Sequence, residues 1–277
     1  MPRVKLDRMF GVKGLRIAIT GGGGVLCGEW AKGLAALGAR VAVLDLIKDA
    51  ADKVAADIRK TVGEAVAVQA NVLDRKSLDA ARDAVVKAFG GLDVLINGAG
   101  GNKKEATVSP TMSFFDIPPE AVRFVFDLNL IGTVLPSQVL GKVLADAKRG
   151  VILNTSSMNA YRPLTNVVAY SAAKAAVSNF TQWLAVHMSQ NYSKDIRVNA
   201  IAPGFFLTQQ NRFLLTDEKT GELTPRGKTI IAHTPMGRFG EPQDLFSTVV
   251  WLISDGAKFV HGQVIPVDGG FSAFSGV

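Results

Sequence analysis

The sequence predicts a doubly wound α/β fold, a parallel sheet covered by helices on both faces. Three observations carry that expectation. Short strand-like and longer helix-like segments alternate from Leu15 onward, the strand-like segments are apolar almost throughout, and four glycines, Gly21 to Gly24, follow directly on the first of them. Strand–helix alternation implies parallel strands joined by right-handed crossovers. Strands buried on both faces lose the polar alternation of a half-exposed sheet.

The elements follow in order. Leu15-Arg-Ile-Ala-Ile-Thr20 is rich in β-branched residues and reads as the first strand. Residues 25–37, rich in Ala and Leu, read as a helix stopped by Gly38. Arg40 to Asp45 reads as the second strand and 48–61 as the next helix. Segments 65–70, 92–96 and 151–154 read as further strands, with helical patterns over 75–89 and 119–147 between them. A strand over 196–202 ends in Pro203-Gly204, and about thirty residues of mixed character follow (205–235). That is longer than an ordinary connection, so the segment is expected to be a lid or binding segment. A helix over 242–253 and a strand over 263–267 complete about seven strands. Pro266 cannot donate to a neighbouring strand, which predicts a sheet edge. No Pro/Ser-rich linker or internal repeat divides the chain, so residues 15–277 read as one domain behind a basic arm, 1–14.

Composition narrows the function classes. The 277 residues are 48% hydrophobic with 28 glycines, which suits a globular α/β chain. No uninterrupted apolar run approaches the ~18 residues of a membrane span. The first ten residues carry charge where a signal peptide has its apolar segment, so a cytoplasmic protein without a membrane partner is expected. The single cysteine, Cys27, allows no intrachain disulfide, and His187, His233 and His261 lack metal-ligand spacing, so no metal is expected. Of the net charge of +7, the first sixteen residues carry +4, leaving a body of +3 with both signs interspersed. No Lys/Arg stripe with interleaved aromatics marks a nucleic-acid surface, so nucleic acid is not an expected partner.

Two patterns carry chemistry. Tyr170 and Lys174 are four residues apart in a helical context, a spacing that places both on one helix face. A phenol titrates near ~10, and a cation held against it is expected to draw that value toward neutrality, as an acid/base catalyst requires. The second pattern is the glycine-rich turn Thr20-Gly21-Gly22-Gly23-Gly24-Val25-Leu26-Cys27-Gly28 between the first strand and helix. Backbone N–H groups at such a turn suit a pyrophosphate. Asp45, ending the next strand, suits the hydroxyls of an adenosine ribose and disfavours a 2′-phosphate, so NAD(H) is favoured over NADP(H). Lys48 nearby is the one residue positioned to soften that exclusion.

Taken together, the glycine turn, Asn97-Gly98-Ala99-Gly100, Asn129, Ser157, Tyr170/Lys174 and Pro203-Gly204 resemble, in family order, the short-chain dehydrogenase/reductase family. The likeness covers nearly all of the chain from Leu15. It departs from the family's T-G-x-x-x-G-x-G turn by placing Val25 and Cys27 where the second and third glycines stand, with Gly24 and Gly28 displaced by one. The resemblance implies Tyr170 as the acid/base, Lys174 as its tuner and a ligand of the nicotinamide ribose, Ser157 as holder of the substrate oxygen, and Asn129 as anchor of a proton-relaying water. It implies cofactor contacts from Gly21, Gly24, Val25, Leu26, Asp45, Asn71, Val72, Asn97, Ala99, Gly100, Tyr170, Lys174, Pro203, Gly204 and Thr208. Within the family, Asn97-Gly-Ala-Gly-Gly-Asn102, Ser156-Ser-Met-Asn159, the Phe180–His187 stretch and Pro203-Gly-Phe-Phe-Leu-Thr-Gln-Gln-Asn-Arg212 look like bacterial sugar-acid oxidoreductases. These interconvert D-fructuronate and D-mannonate; gluconate 5-dehydrogenase, a carrier-protein reductase and a non-catalytic NAD-binding protein are the alternatives. A small anionic sugar acid wants one cation and several hydroxyl or amide partners. Asn102, Lys103, Asn159, Gln210, Arg212 and His233 are the candidates, with Arg212 first for the carboxylate. The resemblance further implies a homotetramer packed through helices near 120–147 and 170–190. The C-terminal Phe271 and Phe274 are expected either on a neighbouring subunit or on their own chain.

Overall fold

The computed structural model describes residues 6–61, 63–207, 215–217 and 220–276. Its centre is a seven-stranded parallel sheet in the order β3-β2-β1-β4-β5-β6-β7. The strands are β1 Arg16–Thr20, β2 Arg40–Asp45, β3 Glu64–Gln69, β4 Val94–Asn97, β5 Gly150–Thr155, β6 Ile196–Pro203 and β7 Val264–Val267. The principal helices are α1 Val25–Ala36, α2 Lys48–Arg59, α3 Arg75–Phe89, α4 Pro119–Phe126, α5 Gly132–Val139, α6 Gly141–Asp146, α7 Val168–Asn191, α8 Pro225–Ala232 and α9 Pro242–Ile253. Pro266 pairs with Ala202 on the outermost strand, the edge position its missing N–H requires.

Period-2 alternation along the inner strands builds two cores. Ile17, Ile19, Val41, Val43, Val94 and Ile96 face α1, α2 and α9, meeting Trp30, Leu34, Ile58, Leu245 and Leu252. Ala18, Ala42, Leu44, Leu95 and Ile152 face the other way, onto Val85 of α3, Leu144 of α6 and Leu184 and Met188 of α7. Trp30 is completely buried, and truncating it to alanine would cost about 4 kcal/mol.

Because β1 lies between β2 and β4, the chain leaves it in opposite directions, and a crevice opens at the carboxyl ends of these strands. The register brings Thr20 beside Asn97 and Asn97 beside Asn154 at that end. Thr20 sets the crevice floor: its hydroxyl accepts from the amides of Gly98 (3.1 Å) and Ala99 (3.3 Å).

The segment read as one helix over 119–147 is interrupted. A π-helical turn, Asp127–Ile131, separates α4 from α5, and α5 contains Pro136. Proline offers no N–H to the preceding turn, and π-turns are frequent at functional sites. Side chains bond the carbonyls along this stretch: Thr133 Oγ1 donates to Asn129 O and Ser137 Oγ to Thr133 O, both at 2.7 Å. The whole stretch, Pro119–Asp146, is long and apolar enough to cross a membrane by length and composition, a property that counting uninterrupted apolar residues does not reveal. Half of its most apolar window is buried inside the fold, as for a core helix.

Candidate active site

The glycine turn forms a cradle whose walls exclude side chains. Gly21 has φ +64°, and a Cβ there would stand 2.9 Å from the Ala99 backbone. A Cβ on Gly23 would meet the Cβ of Ala50 at 2.6 Å. Gly24 caps the N-terminus of α1, and Val25 is its first helical residue. The displaced glycines therefore have separate places: Gly24 ends the turn, and Gly28 brings α1 against Val54 of α2, with a Cβ there at 3.3 Å. Cys27 stands where the family has its third glycine. Its sulfur lies against Gly98, so close that a Cβ on Gly98 would overlap it at 2.2 Å.

The cleft above the turn has a volume of about 820 Å³ and is not blocked by Val25. Gly21, Gly24, Val25, Leu26, Asp45, Asn71, Val72, Ala99, Gly100 and Gly204 line it. A backbone cradle at a helix N-terminus, a carboxylate at the next strand end and this volume together fit a dinucleotide. The carboxylate of Asp45 accepts from Gly23 N–H at 3.0 Å and from Ile47 N–H at 2.9 Å, so it anchors the turn as well as facing the cleft. Lys48 is paired with Asp52. Asn97 differs from expectation. Its side chain is buried and donates to Asn154 Oδ1 (2.8 Å) and Ser137 Oγ (2.9 Å), holding β4 to β5 beneath the floor instead of reaching the cleft. Pro203 is likewise buried in β6, and a Cβ on Gly204 would strike Asp268 at 2.6 Å. Thr208 lies outside the described residues.

The four expected catalytic residues converge beside this floor. Tyr170 and Lys174 lie on one face of the first turns of α7, with the Lys174 ammonium 5.6 Å from the phenol ring centre. Lys174 is 3% exposed and donates to Thr155 O at 2.7 Å. Ser157 follows β5; its hydroxyl accepts from Asn159 N–H at 3.2 Å, and it neighbours the phenol of Tyr170. Ser156 instead bonds Lys174 O and Ser178 Oγ, pinning β5 to α7. Asn129 is fully buried in the π-turn. Its amide donates to Gly101 O and Val125 O, both at 2.7 Å, and its oxygen accepts from Gly101 N–H at 3.2 Å. A Cβ on Gly100 would lie 2.7 Å from Asn129 Oδ1 and 3.1 Å from Lys174 Nζ, so these three positions share one small space.

Burial governs the titration here, and it corrects the expectation that the lysine draws the phenol down. Tyr170 is pushed above the ordinary phenol value by desolvation, which neighbouring Ser157 only partly offsets. Desolvation also brings Lys174 down from 10.5 to about 8, against a smaller opposing pull from Cys27. A lysine that has lost much of its tendency to stay charged exerts a weaker field on its neighbour.

A second cavity, of about 500 Å³, opens beyond the cleft between the loop 162–167, α8 and the C-terminal segment. Phe205 lines both spaces. His233 lines this cavity, whereas Asn102, Lys103 and Asn159 do not. Asn102 donates to Thr107 Oγ1, Lys103 sits 5.0 Å from the Phe124 ring centre, and Asn159 is buried. Gln210 and Arg212 lie outside the described residues. Arg162 and Arg226, which sequence reasoning passed over, do line the cavity. The available signal was two arginines, each beside a proline, on the segments that bracket the Ser157–Tyr170 region and the end of the expected lid. Phe271 packs on Phe205 (5.2 Å between ring centres) and Phe274 on His233 (6.2 Å), so the C-terminal segment folds onto its own chain.

Comparison with known proteins agrees with this geometry. A short-chain dehydrogenase/reductase family model described as enoyl-(acyl carrier protein) reductase matches residues 26–272. An uncharacterized oxidoreductase of Haemophilus influenzae is 48% identical over 272 residues, 94% of each chain. The 5-keto-D-gluconate 5-reductase of Escherichia coli K12 is 30% identical over 266 residues, 96% of this chain and 98% of its own. Among solved structures, a candidate D-mannonate oxidoreductase from Haemophilus influenza with bound NAD superposes with a TM-score of 0.90 at 47% identity, covering 97% of this chain and 99% of its own. The chain belongs to the short-chain dehydrogenase/reductase family of oxidoreductases.

Proposed function

We propose that the chain is an NAD(H)-dependent oxidoreductase that interconverts D-fructuronate and D-mannonate, a keto sugar acid and its hydroxy acid. What supports the substrate reading is the 47% identity, over nearly the whole chain, to the NAD-bound candidate D-mannonate oxidoreductase. The cleft residues divide the cofactor between them. The amides of the Gly21–Val25 turn hold the pyrophosphate, and Asp45 receives the adenosine ribose hydroxyls. Because Lys48 is engaged with Asp52, the charge of Asp45 is left to repel a 2′-phosphate. When bound, the nicotinamide supplies or accepts the hydride.

The chain's own residues manage the proton. A phenol held above its ordinary value stays protonated at neutral pH, which suits Tyr170 to donate to the oxygen of a ketone as it gains negative charge. Ser157, beside that phenol, holds the same substrate oxygen. Lys174 orients the nicotinamide ribose and, with Asn129, re-protonates Tyr170 from solvent. Assembly as a homotetramer is proposed from the family resemblance, with the exposed face of α7 that carries Trp183 as a contact.

The test is NADH oxidation by the purified protein with D-fructuronate, 5-keto-D-gluconate and a 3-oxoacyl thioester. D-fructuronate is expected to have the highest kcat/KM by at least about tenfold, and a thioester preference would overturn the reading. Preference for 5-keto-D-gluconate would favour the second reading, which the resemblance to the Escherichia coli reductase supports.

A further inference from the structure

We infer that Arg162 and Arg226 form the carboxylate-recognition end of the substrate site, making them the residues that select an acidic substrate over a neutral sugar. The inference rests on the proposed sugar-acid reading and goes further by naming the cations. Both arginines line the 500 Å³ cavity, which shares Phe205 with the cofactor cleft. That size suits a six-carbon ligand. Among the described residues lining the cavity, none is acidic, so no carboxylate of the protein neutralises them there.

Arg226, at the second position of α8, makes no ion pair among the described residues. Arg162 is held by one edge: its Nε donates to Ser272 O at 3.0 Å, tying the loop after β5 to the C-terminal segment. Among the described residues its two terminal NH₂ groups have no hydrogen-bond partner, which leaves them for a ligand. A guanidinium fixed on one side is prepared for bidentate pairing at reduced entropic cost. His233 adds a polar neighbour. Its Nδ1 faces the carbonyl of Thr229 at 2.8 Å, and since a carbonyl only accepts, Nδ1 carries the proton and Nε2 is free to face a hydroxyl. Thr165, Asn166 and Thr229 supply further hydroxyl and amide partners, and Phe205 and Phe271 supply an apolar wall.

A keto hexonate matches this layout. Its ketone belongs beside Ser157 and Tyr170, and a run of hydroxylated carbons separates it from the carboxylate. Val167, which lines the cavity, immediately precedes α7 and stands three residues before Tyr170, so the cavity lies at the end of α7 that carries Tyr170. Lys103 lies elsewhere, against Phe124 at the wall of the cofactor cleft.

The experiment compares the acid with its neutral counterpart in wild type, Arg226→Gln, Arg162→Gln and Lys87→Gln. The last removes one exposed charge far from the site. Turnover is measured with D-fructuronate and with D-fructose, which carries a hydroxymethyl in place of the carboxylate. Binding of D-gluconate and D-glucitol to the NAD-loaded protein is measured by calorimetry. Each arginine variant is expected to lower the acid-to-neutral preference at least tenfold, mainly through KM. Arg226→Lys should recover part of it, and Lys87→Gln should change nothing. If fructuronate is turned over and the arginine variants keep the wild-type preference, the inference is wrong and the substrate reading survives. If fructuronate is not a substrate but the gluconate preference collapses in these variants, the inference stands and the substrate reading falls. Wild type without acid preference in either measurement overturns both.

Discussion

The Lys174 ammonium donates a hydrogen bond to the carbonyl of Thr155 at 2.7 Å and stands 5.6 Å from the centre of the Tyr170 ring. Lys174 is thus tethered to the end of β5, and it is tethered in a dry place. Burial sets its value at about 8, so its charge is lost within the working range of many assays. The free enzyme should therefore lose kcat/KM for ketone reduction as pH rises through about 8, because the neutral amine no longer supports proton resupply to Tyr170. kcat/KM reports ionisations of the free enzyme, so the profile should be taken at subsaturating substrate. A profile flat to pH 10 would contradict this assignment.

The same burial makes Lys174 a burden on the fold. Its folded value lies below the unfolded 10.5, so the unfolded chain binds the extra proton between pH 8 and 10.5, and stability rises with pH across that window. Below pH 8 the full penalty applies, about 3 kcal/mol for a shift of this size. Lys174→Met removes the penalty but leaves Thr155 O without its donor, at a cost of about 1 kcal/mol. The variant should be more stable than wild type by about 2 kcal/mol at pH 7, with the gap closing as pH rises from 8 toward 10. Urea unfolding of both proteins at pH 7 and 9.5 checks this. Equal stability at pH 7 would show that the buried amine is paired in a way that compensates its desolvation.

Tyr170→Phe deletes one oxygen and keeps the ring against Lys174. Turnover should fall by at least about 10³-fold, in the range of a lost general acid, while NADH affinity changes less than about threefold. Single-turnover kinetics with fluorescence titration of NADH separates the two effects. Wild-type turnover would remove Tyr170 from the proton path.

Most of the fold could be read in advance because the local signals agreed with one another. Arg40–Asp45 and Arg75–Phe89 form as expected, the first from its β-branched residues and the second with Asp74 capping one end and Gly90, at φ +75°, the other. The interruption at Asp127–Ile131 was harder to see, since hydrophobic periodicity carries straight through a π-turn; poor helix propensity at Asn129 and Pro136 downstream were its marks. At the site, helical spacing put Tyr170 and Lys174 on one face, and the family resemblance gave the pair its roles. No such spacing joins Arg162 and Arg226, which are 64 residues apart and meet only when α8 folds over the loop after β5. The direction of the Tyr170 shift was misjudged for a related reason. Spacing reveals a neighbouring charge, but desolvation depends on what the tertiary fold packs around both groups.

Asp45 tests how the turn and the cofactor preference are joined. Its carboxylate both anchors Gly23 and Ile47 and projects negative charge into the cleft. Asp45→Asn keeps an oxygen acceptor for one amide and removes the charge. The ratio of kcat/KM for NADPH to that for NADH should rise at least tenfold, chiefly through improved NADPH binding. An unchanged ratio would place the exclusion of a 2′-phosphate elsewhere in the cleft.

Cys27 occupies a glycine's place, and its surroundings make it inert despite its position on the cleft wall. Burial pushes the thiol up to about 12, outweighing the nearby Lys174, and its sulfur is packed against Gly98. Only the thiolate attacks an alkylating reagent, and at pH 8 the native thiolate fraction is lower than that of a free thiol by roughly 10³-fold. Iodoacetamide at pH 8 should therefore leave Cys27 unmodified in the folded protein and label it fully in urea, read by intact mass. Because the folded thiol keeps its proton above pH 9 while the unfolded one loses it, this group also makes the protein less stable as pH rises from 9 to 12. Cys27→Ala should flatten that decline. Rapid native labelling would mean that the floor of the cradle opens often enough to expose the sulfur, and the packing against Gly98 would then be too loose to hold the turn.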